Sequence, residues 1–201
     1  MAIKGLDTTS NVTKILDTIK SQGYSFVVRY YSKSGNSKRM SVAESSSIIK
    51  SDLKLVVVYE NLHNAYSKFN ASIAETDAID AINQAKAHGQ PSSTIYFAVD
   101  YDASESQIDA NIKKHFKVLQ STCNSAGYSV GVYGSTLVCK KLKTAGIVSK
   151  TWVANASNWG YGTTFSDYNI KQQSQITVGG ILFDKDVATS ITSIGAWYIS
   201  L

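Results

Sequence analysis

Acidic side chains recur at the ends of the predicted β-strands. Asp7 ends the first strand, Glu60 the third and Asp184 the eighth, while Asp100 ends the fourth and Asp102 follows two residues later. In parallel α/β folds the carboxyl ends of the strands meet at one edge, so we expect these five groups to share one mouth. Crowded carboxylates repel each other. At least one should therefore have a raised pKa, as a general acid near neutral pH requires.

The spacing of Asp100 and Asp102 places two carboxyl groups on one face of a strand. Two such groups can hydrolyse a glycosidic bond, one by donating a proton and the other by stabilising positive charge at the anomeric carbon. An isolated Asp-x-Asp more often caps a loop or binds a cation. The presence of Asp7, Glu60 and Asp184 beside the pair is what favours catalysis here.

Four further residues are predicted to bind substrate. Arg29, near the end of the second predicted strand, should neutralise the neighbouring carboxylates, and binding of a substrate carboxylate is the alternative. Tyr101, Tyr133 and Trp152 lie at or just beyond strand ends. The flat apolar face of a sugar ring packs on an aromatic ring, so we predict that these three side chains contact a sugar.

Short runs rich in β-branched and aromatic residues predict the strands that would position these groups. Amphipathic helical patterns separate the first five runs, with starts predicted at Asn11, Ser41, Glu75 and Ser104 and a last clear helix over 135–145. The eight predicted strands cover residues 3–7, 26–31, 55–60, 94–100, 129–133, 151–155, 168–172 and 180–184.

Strands that alternate with helices predict right-handed crossovers and a parallel sheet. The last two strands are only about seven residues apart, which is too few for a crossover helix. We therefore predict an α/β fold: a modified TIM-type barrel of five β/α units followed by three strands with few or no helices, some of them antiparallel. One domain should span residues 1–201, and an open doubly wound sheet is the alternative.

Metal and cofactor sites are not indicated by the motifs. The chain has no Cys-x-x-Cys or His-x-Glu arrangement for zinc and no Asp-rich loop with ligands at alternate positions. It has no Gly-x-Ser-x-Gly elbow and no phosphate-binding glycine pattern. We expect neither a metal nor a cofactor. His63 could reach the mouth, whereas His88 and His115 are predicted to lie on helix surfaces.

The composition limits the partners. A net charge of +5 and a pI of about 9.0 favour anionic partners such as a cell-wall polymer, although an ordinary basic surface would look the same. Basic–aromatic nucleic-acid motifs are missing, so we expect no nucleic acid. We also expect the chain to act as a monomer. Apolar runs are of strand length and predict no membrane span. The N-terminus shows no signal peptide, so action at a cell wall would follow export or lysis.

Five ordered blocks of the sequence carry a family resemblance. The blocks are Gly5-Leu6-Asp7-Thr8-Thr9, Val27-Val28-Arg29-Tyr30-Tyr31, Tyr96-Phe97-Ala98-Val99-Asp100-Tyr101-Asp102, Val130-Gly131-Val132-Tyr133-Gly134-Ser135 and Phe183-Asp184-Lys185-Asp186-Val187-Ala188. They resemble a family of bacterial glycoside-hydrolase-like domains, and the match covers essentially the whole chain. That family in turn resembles the Chalaropsis-type lysozymes (glycoside hydrolase family 25), which cleave peptidoglycan between N-acetylmuramic acid and N-acetylglucosamine.

The resemblance implies a modified barrel and a role for each matching acid. Asp7 and Asp184 match positioning carboxylates, Asp100 matches the carboxylate that stabilises the reacting sugar, and Asp102 occupies the position of the proton donor. The lysozymes have Glu at that last position. Because Asp102 is one methylene shorter, either the backbone compensates, Glu60 supplies the acid, or the domain binds glycan without cutting it.

The leading hypothesis is a glycosidase that acts on peptidoglycan or a related amino-sugar polymer, in the manner of a muramidase. Asp102 or Glu60 would be the general acid, Asp100 the base or stabiliser, and Asp7, Asp184 and Arg29 would hold the network. Two alternatives remain open: a non-catalytic glycan-binding domain on the same barrel, and a metal-dependent hydrolase.

Overall fold

Eight strands close into one barrel in the part of the chain that the computed structural model describes, residues 2–61, 63–160 and 162–197. The strands follow one another around the barrel in chain order, and the last pairs with the first. The predicted α/β barrel is confirmed, and a doubly wound sheet is excluded because the sheet closes on itself. The strands are β1 (Ile3–Asp7), β2 (Phe26–Tyr31), β3 (Lys54–Tyr59), β4 (Thr94–Ala98), β5 (Ser129–Gly134), β6 (Lys150–Val153), β7 (Ile170–Val178) and β8 (Ile181–Ala188).

Helices form the crossovers between the first six strands. Ser41, Asn70, Ser104 and Ser135 each cap a helix by accepting a hydrogen bond from a backbone N–H in its first turn. A π-helical segment, Ile108–Ile112, joins two helices of the fourth crossover. The helices are α1 (Leu16–Ser21), α2 (Val42–Lys50), α3 (Ala71–His88), α4 (Glu105–Gln107), α5 (Lys113–Ser125) and α6 (Thr136–Thr144).

The eighth strand runs against its neighbours. Strands β1 to β7 pair in parallel, whereas β8 is antiparallel to both β7 and β1. The mouth of the barrel is therefore formed by the carboxyl ends of the parallel strands and by the first residues of β8. Asp184 pairs with Asp7 across the β1–β8 ladder. Asp184 was predicted to end the eighth strand, but it lies near the start of β8 and reaches the mouth because β8 is antiparallel to its neighbours.

Two apolar layers build the core, one inside the barrel and one between the sheet and the helices. The rings of Phe26 and Tyr96 fit inside the barrel because Gly5 and Gly131 lack the Cβ atoms that these rings would contact. The interior layer consists of Phe26, Val28, Val56, Val58, Tyr96, Ala98, Trp152, Ile170, Ala188 and Ile194. These residues show which side chains of each strand point inward, since inward and outward positions alternate along a strand.

Residues 190–197 close the end of the barrel opposite the mouth. Ile194 is fully buried in the interior layer, and its carbonyl oxygen accepts a hydrogen bond from the Tyr96 hydroxyl at 3.0 Å. Trp197 pairs with Leu55 at the start of β3. The interior of the barrel is therefore a packed core, and residues 190–197 cover its floor.

A hairpin of β7 and β8 extends beyond the rim. The β1–β8 ladder stops at the Asp7–Asp184 pair, while β7 and β8 continue to pair with each other from Gln175–Asp184 to Val178–Ile181. Between Gln172 and Gln175, β7 contains one residue more than the facing part of β8, which makes a β-bulge. Both strands are longer than predicted, although their hairpin link was anticipated.

Two other features bear on the predictions. Cys123 and Cys139 are buried free thiols. Among the residues described, no helix has both the length and the apolar character needed to cross a bilayer.

Candidate active site

Four of the predicted acids lie at the mouth of the barrel, on the inward-facing side of their strands. Asp7 ends β1, Asp184 faces it from β8, and Glu60 and Asp100 continue the inward alternation of β3 and β4. Burial raises the pKa of the Tyr133 hydroxyl, and the nearby charges of Asp100, Asp7 and Asp184 raise it further. Tyr133 therefore lies among acids from opposite sides of the barrel, and the mouth brings these groups together.

Asp7 forms a pair with a residue that the sequence argument did not select, Asp186. Asp186 faces Gly5 across the β1–β8 ladder, one inward position below Asp7 and Asp184, and is 1% exposed. Its Oδ1 accepts a hydrogen bond from Trp152 Nε1 at 2.8 Å, while its buried Oδ2 has no such donor. When Asp186 Oδ2 carries a proton, it can donate a hydrogen bond to Asp7. Asp186 then has no buried oxygen without a hydrogen-bond partner.

The electrostatics of this pair agree with one shared proton. Burial, together with the charge of Asp184, raises the pKa of Asp7 to about 7, although the hydrogen bond from Gln172 acts to lower it. Burial and the charge of Asp7 raise the pKa of Asp186 well above its ordinary range. Two carboxyl groups this close cannot both ionise at little cost. The two carboxyl groups therefore do not both ionise readily, and the pair retains a proton.

Gln172 orients Asp7 from β7. Its Nε2 donates to Asp7 Oδ2 at 3.0 Å, and its Oε1 accepts from the Tyr133 hydroxyl at 3.2 Å and from the Asn155 backbone N–H at 3.1 Å. These two donors fix which end of the amide faces Asp7. The Tyr30 hydroxyl adds a longer contact of 3.4 Å to Asp7 Oδ1.

Asp100 and Glu60 form a second group of acids across the mouth. Burial raises the pKa of Asp100, the Glu60 charge raises it further, and the Lys38 ammonium lowers it. Glu60 is the carboxylate partner of Lys38, with Oε1 and Nζ 2.5 Å apart. Asp100 is half-buried and so remains open to a substrate.

Asp102 occupies a different setting from the one predicted. Strand β4 ends at Ala98, so Asp100 and Asp102 do not share a strand face. The chain turns there, with the Ala103 backbone N–H bonded to the Tyr101 carbonyl at 2.9 Å. Asp102 Oδ1 accepts a hydrogen bond from the Gly160 backbone N–H at 2.9 Å. Asp102 thus anchors the loop that follows β6.

The three predicted sugar-binding aromatics fall in three places. Trp152 is 1% exposed inside the barrel, so the predicted contact with a sugar does not fit, and its role is to donate to Asp186. Tyr101 packs against Phe69 on the helix side, with ring centroids 5.8 Å apart, and does not join the mouth acids. Tyr133 is half-buried between Trp152 and Gln172, and its contact with substrate stays a prediction.

Arg29 points away from the mouth. It sits between the inward positions Val28 and Tyr30, so its side chain faces α2. Its Nε and Nη2 bind Glu44 at 2.7 and 3.1 Å, and its Nη1 donates to the Thr8 carbonyl. The prediction that Arg29 neutralises the strand-end acids is wrong because its carboxylate partner is Glu44 on α2, and substrate binding does not fit a side chain 1% exposed.

Replacing Arg29 with lysine should therefore lower stability without changing the site. Lysine keeps the charge but loses the two-pronged contact with Glu44, so we expect a loss of about 2 kcal/mol in the free energy of unfolding. Urea unfolding measures this loss. Arg39→Lys, at the half-buried other arginine, is the matched control and should change it little. Any glycan-cleaving activity of folded R29K should equal that of the unchanged protein. A lower activity of the folded variant would instead support substrate binding by Arg29.

His63, Asp77 and His115 form a buried cluster between α3 and α5, with one candidate ligand atom each within 4.8 Å of the others. His63 Nδ1 accepts from the Asn61 backbone N–H at 3.2 Å, so Nε2 carries the proton and donates to Asp77 Oδ2 at 2.8 Å. His63 would have to lose that proton to bind a metal ion through Nε2. Hydrogen bonding explains this geometry as it stands.

The prediction that His88 and His115 lie on helix surfaces is wrong. Both are buried, and burial lowers the pKa of each to about 4. The helical pattern did not reveal this because α3 packs its His88 against Ser45 of α2, and α5 packs its His115 against the chain at Asn70.

Asp186, Gln172 and Lys38 are the site residues that the sequence argument missed. Asp186 could have been found from alternation, since it shares a face with Asp184 and follows it by two residues. Gln172 and Lys38 carried no such signal, because their roles depend on where β7 and the loop after β2 meet the barrel.

A closed α/β barrel with acids from opposite strands at its mouth defines the class of barrel domains that gather polar residues at the carboxyl ends of the strands. Residues 17–188 match the family described as Rv2525c-like, glycoside hydrolase-like domain, and the chain belongs to that family. The Bacillus subtilis (strain 168) protein FadG is 30% identical over 191 residues, which cover 87% of this chain and 33% of FadG. The chain thus spans about a third or less of the curated relatives it matches.

Solved structures share the barrel. The Mycobacterium tuberculosis Tat-secreted protein Rv2525c, in complex with L-tartrate, aligns with a TM-score of 0.84 at 21% identity over 96% of this chain and 98% of that one. The modular autolysin LytC from Streptococcus pneumoniae aligns with a TM-score of 0.67 at 21% identity over 92% of this chain and 46% of LytC. The fold is therefore shared with muramidases and other cell-wall lytic enzymes.

Proposed function

We propose that this domain is a glycoside hydrolase that cleaves peptidoglycan or a related amino-sugar polymer by carboxylate acid–base catalysis. One observation carries the proposal: Asp7 and Asp184 meet on one side of the mouth while Asp100 and Glu60 meet on the other, with Tyr133 between them. Glycoside hydrolysis uses carboxyl groups that flank the bond, one able to donate a proton.

Asp100 is the best candidate for the proton donor. It is half-buried at the mouth, and burial beside Glu60 raises its pKa, which keeps more of it protonated as the pH rises. Asp102 is anchored to the Gly160 backbone and Glu60 is the partner of Lys38. The resemblance instead assigns proton donation to Asp102 and stabilisation of the sugar to Asp100, so variants of these two acids separate the assignments.

Asp184 and Asp7 supply negative charge on one side of the site. Asp184 is half-buried at the rim, where a carboxylate can stabilise positive charge on the reacting sugar. Below Asp184, Asp7 and Asp186 hold one proton between them. Gln172 donates a hydrogen bond to Asp7 Oδ2, and Trp152 donates one to Asp186 Oδ1. Above about pH 7, where Asp7 ionises, the pair keeps a negative charge close to the reacting carbon without exposing it to water.

Action at the cell wall follows from the same proposal. The similar autolysin LytC has been crystallised with a synthetic peptidoglycan ligand, and the similar Rv2525c is a Tat-secreted protein. A net charge of +5 would concentrate the domain on an anionic wall polymer. We expect a single domain acting as a monomer on polysaccharide, without a nucleic-acid partner.

A second candidate is a domain that binds glycan without cutting it. The observation that favours it is Asp102, which is one methylene shorter than the glutamate of the lysozymes and is held by the Gly160 backbone N–H. Such a domain would keep the mouth and its sugar contacts but release no product.

Digestion of purified peptidoglycan tests the proposal. The product mixture is analysed for new reducing ends and by mass, in buffer and with a chelator. New reducing ends in both conditions support the glycosidase. Binding to sedimented peptidoglycan without release supports the binding domain, and activity lost in chelator would indicate a metal-dependent hydrolase instead.

A further inference from the structure

The β7–β8 hairpin forms one wall of a small cleft beside the mouth acids. The cleft has a volume of about 160 Å³, and its lining includes Asp7, Thr9 and Tyr30 together with Gln175, Leu182 and Asp184 of the hairpin. A larger cavity of about 460 Å³ lies between α5 and α6 next to Lys113 and Lys141, away from these acids. The small cleft is thus the one that touches the proposed chemistry, and it has room for a single chemical group.

The bulge in β7 decides which side chains face the cleft. With one extra residue between Gln172 and Gln175, Gln175 comes to lie opposite Asp184, and residues directly opposite each other share a face. Leu182 lies two residues before Asp184 and therefore on that face as well. Without the bulge, Ser174 would take the place of Gln175.

The hairpin is held in place at both ends. Near its base, the Thr8 hydroxyl donates to the Leu182 carbonyl at 2.9 Å. At its tip, Gly179 adopts φ +56, and a Cβ built there would lie 2.7 Å from Ile15 Cγ2. The tip therefore rests directly on the segment before α1, and the wall presents its side chains in a fixed position.

Leu182 has no packing role that explains it. It is 55% exposed, more than Ile79 at 49% or Val42 at 47%, and it projects beside two carboxyl groups at the rim. Gln175 and Thr9 are also exposed in the same cleft. An apolar side chain next to an amide and a hydroxyl matches a ligand group that combines a methyl with polar amide atoms.

We propose that Leu182 and Gln175 on this hairpin are specificity-determining residues that bind the acetamido group of one sugar residue in the mouth. The methyl of that group packs on Leu182, while its amide N–H and carbonyl bond to Gln175 and to the Thr9 hydroxyl. The inference rests on the proposed function for its location beside the reacting acids. A pocket built for such a substituent discriminates against sugars that carry a hydroxyl instead.

Direct binding tests this independently of cleavage. The intact chain carrying Asp100→Asn is titrated with the β-1,4-linked trimer of N-acetylglucosamine and with the β-1,4-linked trimer of glucose, which is also uncharged. We expect the acetylated trimer to bind at least about tenfold more tightly. Adding Leu182→Ser or Gln175→Ala should reduce this preference to within about threefold. Ile79→Ser, which removes a similarly exposed side chain on α3, should leave the preference unchanged.

The outcomes separate the two proposals. Equal affinities for the two trimers, or a preference that survives L182S and Q175A, would overturn the hairpin assignment even if peptidoglycan is cleaved. A preference lost in L182S and retained in I79S supports the assignment even if the unchanged protein releases no reducing ends, in which case only the hydrolase proposal fails.

Discussion

Replacing Asp7 with asparagine should strongly reduce glycan cleavage while making the protein more stable at alkaline pH. Asparagine has nearly the same shape, and its Oδ1 can accept the hydrogen bond that Gln172 Nε2 donates to the Asp7 carboxylate. The variant removes a charge from a site 3% exposed. Loss of a charge that stabilises the reacting sugar should reduce kcat/KM by about 10²–10³-fold.

The stability gain should depend on pH in a defined direction. Burial raises the pKa of Asp7 from 3.8 to about 7, so between these values the folded protein binds more protons than the unfolded chain. The unchanged protein therefore loses stability as the pH rises through this window, by at most about 4 kcal/mol. D7N has no carboxyl group to ionise at this position and therefore does not lose this stability. Its advantage should be small at pH 4.5 and largest above pH 7.

Urea unfolding at pH 4.5 and pH 8 measures the difference between the two proteins. Asp184→Asn is the matched control, since that carboxylate lies half-buried on the same rim, and its effect on stability should be smaller. A destabilised D7N at both pH values would show that Asp7 is an ordinary structural carboxylate, and the shared proton would then be wrong.

Asp100→Asn should produce the largest loss of activity. An amide cannot donate the proton that the leaving oxygen needs, so release of reducing ends should fall by about 10³-fold or more. Binding of the polymer should persist, because the asparagine side chain keeps the shape and polarity of the aspartate that it replaces. The activity of the unchanged protein should fall as the pH rises through the raised pKa of Asp100, since the donor must be protonated.

Asp102→Asn is the control that separates the two assignments of the proton donor. Asparagine can still accept the Gly160 hydrogen bond through its Oδ1, so the loop anchor survives and activity should fall less than tenfold. If D102N loses as much activity as D100N is expected to lose, and D100N keeps most of it, the donor is Asp102 and the resemblance to the lysozymes gives the better account.

Much of the barrel could be predicted because its strands carry local signals. β1 and β2 have the predicted bounds, since a run of β-branched and aromatic residues ends at a turn or a cap in each case. β4 is shorter than predicted because the chain turns after Ala98. The full length of β7 was missed because its second half, with Gln173, Ser174 and Gln175 exposed, lacks the apolar alternation of a buried strand.

The site was predicted less completely, for a different physical reason. Strand ends located Asp7, Asp100 and Asp184, but the side of the sheet on which a residue lies depends on alternation within each strand. The side chain of Arg29 lies on the outer side of β2, whereas that of Asp186 lies on the inner side of β8. The Asp7–Asp186 pair also depends on register between the first and last strands, which no local pattern of residues contains.

The reversed direction of β8 has a practical result for anyone who handles this domain. The chain enters β1 at Ile3, which pairs with Ala188 at the exit of β8, and the segment that follows seals the floor of the barrel around Ile194. Both ends of the described chain, residue 2 and residue 197, are thus on the floor side. A tag, a bead or a sensor chip attached near either one would leave the opening free for long, insoluble polymer chains.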